Sequence, residues 1–414
     1  MSDKKRASLA PQYMKNFQCI GTACEDSCCV GWRVDIDHET WSKYRKTRHE
    51  ELAPLLAKKI TRNRSATKSE ANYAKVKLEQ GGACPFLSAE MLCRIQLGFG
   101  EGNLSNVCAT YPRVTNLING VLERSATMSC PIAAKIALLQ PEPMEFDEDE
   151  EPAGIRNMIK NTINTHELKF SNKAEKHLWG LRIFSVATLQ DRRYHVWERL
   201  VMLGIFYDRV QDAIQKEQAN QIPDLIAVHK NLLDDGSSKT IIQGIPVQNT
   251  FQMELLKKIA DKRYFSGVSN QRYLECFGEF LIGIQYTADS TVEEIGQRYH
   301  EAWQKYYEPY MREHEYILEN YLVNYVFKNL FPFTAEKSVF DSYMMLIIHY
   351  ALIKMLLIGV AGYYKGLNDE IVIKLIQSFV KTVEHNQKYL YEIADLMKQN
   401  KFNTMAYMAV LIKN

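Results

Sequence analysis

This chain of 414 residues is most informative in what it has little of. Charge of one sign is scarce: 51 Lys and Arg face 49 Asp and Glu, a formal net charge of +2, so nothing marks nucleic acid as a partner. The N-terminus, MSDKKRASLAPQYMKNF, has no apolar core of signal-peptide length. No long apolar run is free of charge. Met344 to Tyr363 comes nearest, but His349 and Lys354 interrupt it, which favours a buried core helix over a membrane span. A strand followed by a G-x-G-x-x-G turn is missing, and Gly359-x2-Gly362 sits in a helical run, so no Rossmann signature is present. From these absences a cytoplasmic protein with no membrane partner is expected.

Cysteine is the exception, and only at one end. Eight of the nine cysteines precede residue 131; the other 284 residues hold only Cys276. Four of the eight, Cys19, Cys24, Cys28 and Cys29, fall within eleven residues, and Cys84, Cys93, Cys108 and Cys130 follow. In a compartment where thiols stay reduced, such clustering reads as metal ligation before disulfides. On a helix, Cys24 and Cys28 would project from one face, while Cys29 would be turned about 100° away from Cys28, so the two neighbours are not expected to serve the same metal atom; Cys29 is left to a second centre or to packing. Zinc favours paired cysteines two to four apart in two knuckles, which only Cys24 and Cys28 approach. An iron–sulfur cluster takes four thiolates and tolerates scattered spacing. Free structural thiols are the third reading. The radical spacing is absent, because the position where a third cysteine would be needed is Gly31.

The expected fold is mainly α: a cysteine-rich metal-binding N-terminal domain, residues 1–140, followed by an all-helical C-terminal domain, residues 154–414. At this length two domains are expected, since single cores rarely exceed about 250–300 residues. Residues 1–12 are polar and read as frayed. Asp37 is placed to cap a helix through Trp41 and Tyr44, and the helical reading extends to Lys77. From Pro141 to Pro152 the sequence PEPMEFDEDEEP carries seven acidic residues and three prolines, which reads as an acidic linker over 141–153. Beyond it, apolar residues recur at spacings of three and four, as in Trp197, Leu200, Val201, Gly204 and Ile205.

Tyr13-x3-Phe17-x-Cys19-x-Gly21-x2-Cys24-x-Asp26-x-Cys28-Cys29-x-Gly31-Trp32 resembles the opening of the bacterial flagellin lysine N-methylase family. The resemblance continues through Cys84-Pro85-Phe86-Leu87, Leu92-Cys93-Arg94-Ile95-Gln96, Leu104-Ser105-x2-Cys108, Tyr111-Pro112-Arg113, Leu122-Glu123-x-Ser125 and Ser129-Cys130-Pro131. The same cysteine skeleton is similar to a broader group of zinc- or iron-chelating modules. The match covers residues 13–135. It implies a cytoplasmic enzyme that methylates lysine side chains of flagellin, with S-adenosylmethionine as donor and a cysteine-bound 4Fe–4S cluster, zinc being the alternative metal. The cysteines that match are Cys19, Cys24, Cys28, Cys29, Cys84, Cys93, Cys108 and Cys130.

Methylating an amine needs a free lone pair, whereas lysine has a pKa near ~10.4. Tyrosines and carboxylates are the usual means of holding it neutral. Tyr299-His300-Glu301-Ala302-Trp303 with Tyr306, Tyr307 and Tyr310, and Tyr363-Tyr364, are aromatic clusters that read as helix packing. Asp26, Arg94, Tyr111 and Arg113 lie beside the cysteines and can tune a metal or anchor loops. Neither the catalytic residues nor the S-adenosylmethionine pocket has an address in the sequence. A non-catalytic metal-binding adaptor with a helical docking domain is therefore the competing reading.

Overall fold

The computed structural model describes residues 5–65, 69–152, 156, 158–236, 239, 242, 244–334, 336 and 338–414. The protein is mainly helical, as expected, but its N-terminal third is built on two sheets. The strands are β1 (Lys5–Pro11), β2 (Asp35–Ile36), β3 (Ile60–Arg62), β4 (Ala74–Val76), β5 (Arg113–Ile118), β6 (Val121–Ala126), β7 (Phe146–Pro152) and β8 (Ile159–Ile163). The larger sheet has the order β7-β1-β6-β5-β8 and the smaller β2-β4-β3.

Four expectations are corrected here. The segment read as frayed is β1, which pairs parallel with β6 and antiparallel with β7. The acidic stretch read as a linker is β7, an edge strand, while residues 153–155 lie outside the described residues. Its carboxylates find partners across the sheet: Glu150 meets Lys5 at 3.3 Å, and Glu151 pairs with Arg124. A row of acidic side chains also keeps an exposed edge from recruiting further strands. The region beginning at 154 is not all helical, because β8 adds to β5 in parallel. Finally, the helical reading of 37–77 holds for His38–Lys46 and Leu52–Lys59 but gives way to β3 and β4. The cap at Asp37 is present, accepting from the Thr40 N–H at 2.9 Å.

β5 and β6 form a hairpin closed by Asn119 and Gly120, with φ of 50° and 87°. That is the two-residue turn with both centres left-handed, which Asn-Gly adopts at little cost. The small sheet carries its own core of Val34, Ile36, Tyr44, Leu52, Leu56, Val76, Phe86 and Ile95. The large sheet does not stand apart from the helices. Tyr13, Met128, Ala133, Leu138 and Met144 belong to the same buried core as the C-terminal helices. Helix Glu308–Lys328 lies against the sheet, with Asn324 accepting from the Tyr13 hydroxyl at 2.6 Å and donating to the Ala126 carbonyl at 3.1 Å. Arg182, on helix Leu178–Leu189, grips the buried Glu123 of β6 with both guanidinium nitrogens.

The organising element of the helical part is Val339–Tyr364, hereafter the central helix. It is long and apolar enough to cross a membrane, and its apolar window is wholly buried inside the protein. Helix Gln271–Gly283 crosses it so closely that a side chain on Gly283 would strike the Gly359 carbonyl, and one on Gly359 would strike Phe280. Gly359-x2-Gly362 is therefore a helix-crossing contact.

Candidate functional site

The cysteine loops are held by backbone geometry. Residues 24–32 are not helical: a 3-10 turn over Gly21–Ala23 ends at an extended Cys24, and Cys28 and Cys29 occupy a turn. The expectation of one helix face for Cys24 and Cys28, with Cys29 turned away, is thereby overturned. The Cys28 and Cys29 side chains hydrogen-bond each other. An isolated bridge, Val30 to Ala83, places the Cys84 N–H 2.8 Å from the Cys29 carbonyl. A second bridge, Leu87 to Cys93, folds CPFL back so that Cys93 caps helix Arg94–Phe99, with Phe86 as the buried anchor. Cys108 sits on the short helix Asn106–Thr110, whose first N–H donates to Asp37 at 3.0 Å.

The eight thiols fall into two electrostatic neighbourhoods. Cys28, Cys29, Cys84, Cys93 and Cys108 feel one another, and Cys130 feels Cys19 and Cys24; Cys24 also senses Cys28 and so links the two. The bond from Cys29 brings the Cys28 thiol down to about 7, with Lys381 helping, while the same bond and burial push Cys29 up. Among the described residues no three Cys, His, Asp or Glu side chains close on one point as a single ion requires. Cys276 is buried in the helical body, 4.0 Å from the Ser378 hydroxyl, as a small core residue.

A wide helical turn joins these loops to the helical body. Helix Asp369–Phe379 runs into a π turn over Val380–Glu384. Such turns carry one residue more than an α turn and often stand at functional sites. On one side Lys381 donates to Asp26 Oδ2 and to the Ser27 carbonyl, both at 2.8 Å, and Gln377 donates to Asp26 at 2.7 Å and to the Ser129 carbonyl at 2.8 Å. Trp32 donates to the Cys28 carbonyl at 2.6 Å and packs its ring 5.2 Å from Tyr111 and 6.0 Å from His385.

On the other side of that turn lies a cavity of about 1540 Å³. Its wall includes Lys160 of β8, Tyr325, Lys328, His349, Glu384 and His385. Lys328 donates to Glu384 Oε2 at 2.5 Å and the Tyr321 hydroxyl to Oε1 at 2.6 Å. Burial alone would raise the Glu384 carboxyl, but Lys328, His349 and the two hydrogen bonds bring it down to about 2. Desolvation by the surrounding wall, then Lys328, lowers Lys160 to about 8 and His385 to about 4, although both residues are exposed at the cavity surface. His385 Nε2 lies 3.0 Å from the Ser129 hydroxyl. His349 is 1% exposed, and burial lowers its pKa. The site thus combines a large, half-open cavity, the Tyr325 and Phe333 rings, a fixed carboxylate and two neutral imidazoles beside a thiol-rich loop.

The family described as "FliB lysine N-methylase C-terminal domain" matches residues 182–411. The chain belongs to the FliB lysine N-methylase family. A protein named Lysine-N-methylase from Salmonella choleraesuis (strain SC-B67) is 22% identical over 91% of this chain and 92% of its own length. Its namesake from Salmonella typhimurium (strain LT2) is 21% identical over the same shares. A protein named Flagellar biosynthetic protein FliU from Salmonella muenchen is 29% identical over 33% of this chain and 80% of its own. No solved structure matches the chain.

The family match lies on the helical part, which contains Tyr325, Lys328, His349, Glu384 and His385, whereas the motifs read from the sequence lie before residue 136. Of the residues singled out beside the cysteines, Asp26 and Tyr111 sit at the junction, Tyr111 with its hydroxyl 3.1 Å from that of Ser129. Arg94 pairs with Glu51 at the surface and Arg113 covers the Phe17 ring. Tyr299 and Tyr307 are core residues, Tyr310 bonds Asp369 at 2.5 Å, and Tyr363 and Tyr364 are exposed; none lines the cavity. Sequence reasoning missed Lys160, Lys328, Glu384 and His385, and took His349 only as a break in an apolar run. A histidine in the middle of MMLIIHYALIKMLL is the one signal that pointed here.

Proposed function

We propose that this family member, a methyltransferase by that membership, transfers methyl groups from S-adenosylmethionine to lysine side chains of flagellin, with the cavity as the reaction chamber. The observation that carries the reading is the cavity itself, about 1540 Å³, whose wall includes the Lys328–Glu384 pair, held from behind by Tyr321, and two imidazoles, and which abuts the cysteine loops through Trp32. Keeping a lysine amine neutral at pH 7 costs about 4–5 kcal/mol, from a pKa near ~10.4 at ~1.36 kcal/mol per unit. Partial desolvation of the ammonium against the wall lowers that cost, and an acceptor in the wall takes the proton. Tyrosine ring faces favour both the incoming ammonium and a sulfonium donor. Flagellin as the methylated protein is supported by the sequence motifs and by the flagellar name of one relative.

The thiol loops suit an iron–sulfur cluster better than a single zinc ion. Their donors are all sulfur, and each cysteine of a cluster binds a different iron, so the sulfurs stand apart rather than meeting at one point. Cys28 or Cys29, with Cys84, Cys93 and Cys108, would hold such a cluster, and Cys19, Cys24 and Cys130 would stand beside it. When bound, a cluster supplies a redox-capable centre and cross-links these loops. Lys381 and Gln377 fix the Asp26 end of the loops against the chamber whatever the loops hold.

The test uses full-length protein purified without oxygen and incubated with flagellin and methyl-labelled S-adenosylmethionine. Label on flagellin lysines is expected, as is bound iron that Cys84→Ala loses and Cys276→Ala keeps. Flagellin binding without transfer would overturn the enzyme reading, and stoichiometric zinc in place of iron would overturn the cluster.

A further inference from the structure

The geometry points to His349 as the group that takes the proton from the substrate lysine, through its Nε2, before the methyl group moves. The inference rests on the methyl-transfer reading above. His349 stands in the middle of the central helix, where every residue from Val339 to Gly362 is buried and most are hydrocarbon. Packing alone has no use for an imidazole there, because a buried polar group needs a partner. One nitrogen has one: Nδ1 lies 2.6 Å from the Met345 carbonyl. A carbonyl only accepts, so the proton sits on Nδ1 and Nε2 carries a bare lone pair. Nε2 is buried and has no hydrogen-bond partner among the described residues. A native protein seldom leaves such an acceptor empty without a use for it.

The neighbours set its readiness. Helix Glu308–Lys328 contributes Lys328 and the Tyr325 ring, 5.1 Å away, and helix Asp369–Phe379 contributes the Phe379 ring, 6.1 Å away; the π turn that follows brings Glu384. Burial and Lys328 lower the proton affinity of His349, and Glu384 raises it. The imidazole is therefore neutral near pH 7, and Glu384 is placed to steady the imidazolium once it forms. Two other bases in the wall are already committed. Glu384 holds two hydrogen bonds and stays ionised, and His385 Nε2 is engaged with Ser129.

The step balances. An ε-ammonium N–H bond breaks and its proton passes to Nε2. The freed nitrogen lone pair attacks the methyl carbon of a sulfonium donor. The carbon–sulfur bond breaks with its electrons left on sulfur, giving a neutral thioether and a methylammonium, and the imidazolium returns its proton to water.

The experiment measures transfer from labelled S-adenosylmethionine to flagellin between pH 6 and 10 for the wild type, His349→Gln and His349→Asn. Both variants are expected to lose about 10²–10⁴-fold in kcat at pH 7 with KM for flagellin unchanged. Their rates should then climb close to tenfold per pH unit toward the lysine pKa of ~10.4, as the amine deprotonates unaided. A kcat within threefold of wild type, as when Nε2 only holds a buried water, would overturn the proposal. So would an equal loss at every pH, which marks a structural role. If the wild type transfers nothing, the methyl-transfer reading itself has failed, which is a different result. If neither variant folds, ¹⁵N-histidine spectra of the wild type decide: a bare Nε2 at pH 7 is expected, and a proton on Nε2 refutes the assignment.

Discussion

Replacing Lys328 by methionine keeps the stem of the side chain and deletes its charge, leaving Glu384 buried beside Tyr321 and His349. Lys328 and Glu384 are 7% and 9% exposed, so solvent screens the pair little. The carboxyl is drawn from its ordinary 4.5 to about 2. That difference, 4.5 − 2, is about 2.5 units, or roughly 3 kcal/mol of stability at ~1.36 kcal/mol per unit. Breaking a buried pair by removing one member costs about 3–5 kcal/mol, the same order. The pH dependence follows from the sign of the shift. A carboxyl held below its unfolded value stabilises the fold above pH 4.5 and loses that contribution as pH falls toward 2. Without Lys328, burial dominates and the carboxyl rises above its ordinary value, so the variant should lose less stability than the wild type on acidification. Urea unfolding of both proteins at pH 7, 5, 4 and 3 measures this. A loss under about 1 kcal/mol at pH 7, or parallel pH profiles, would refute the reasoning.

Two further outcomes test other contacts. Gly359→Ala removes a helix-weakening glycine, worth about 1 kcal/mol in its favour, but drives a methyl group into the Phe280 backbone and ring; overpacking of about 1–3 kcal/mol should win, seen as a lower urea midpoint. Asp26→Asn leaves Lys381 without its counter-charge at a site where the lysine is 6% exposed; a loss of about 1.5–3 kcal/mol local to the junction should speed hydrogen exchange at residues 24–32. Unchanged exchange there would show that the π turn does not hold the cysteine loops.

Helices were legible where one face had to be apolar. The 3.6-residue recurrence of Trp197, Leu200, Val201 and Gly204 is a local consequence of burying one side of a helix, and Val196–Gln215 is such a helix. The Asp37 cap was legible for the same reason, since its partner is three residues away. Strands were not. β1 and β7 pair residues 141 positions apart, as Ser8 with Asp149, and nothing in either segment alone requires the other. PEPMEFDEDEEP reads as unstructured because its carboxylates have no local partners, whereas Lys5 and Arg124 supply them from distant strands. The Asn119-Gly120 turn between two apolar-rich strands was a local signal that went unread.

What the sequence by itself determined is the division of the chemistry. Eight thiols before residue 131 in the motifs of a lysine N-methylase, followed by a helical body, need no coordinates to be seen. Only the tertiary structure decided where the cavity lies. Lys160, Tyr325, Lys328, His349, Glu384 and His385 come from four separate elements and from residues up to 225 apart in the chain (385 − 160). Each is individually unremarkable, a lysine on a strand or a histidine in a helix. The shifted proton affinities of Lys160, Tyr325, His349, Glu384 and His385 come from their lying together, because desolvation and a neighbouring charge act through space and leave no trace in sequence spacing.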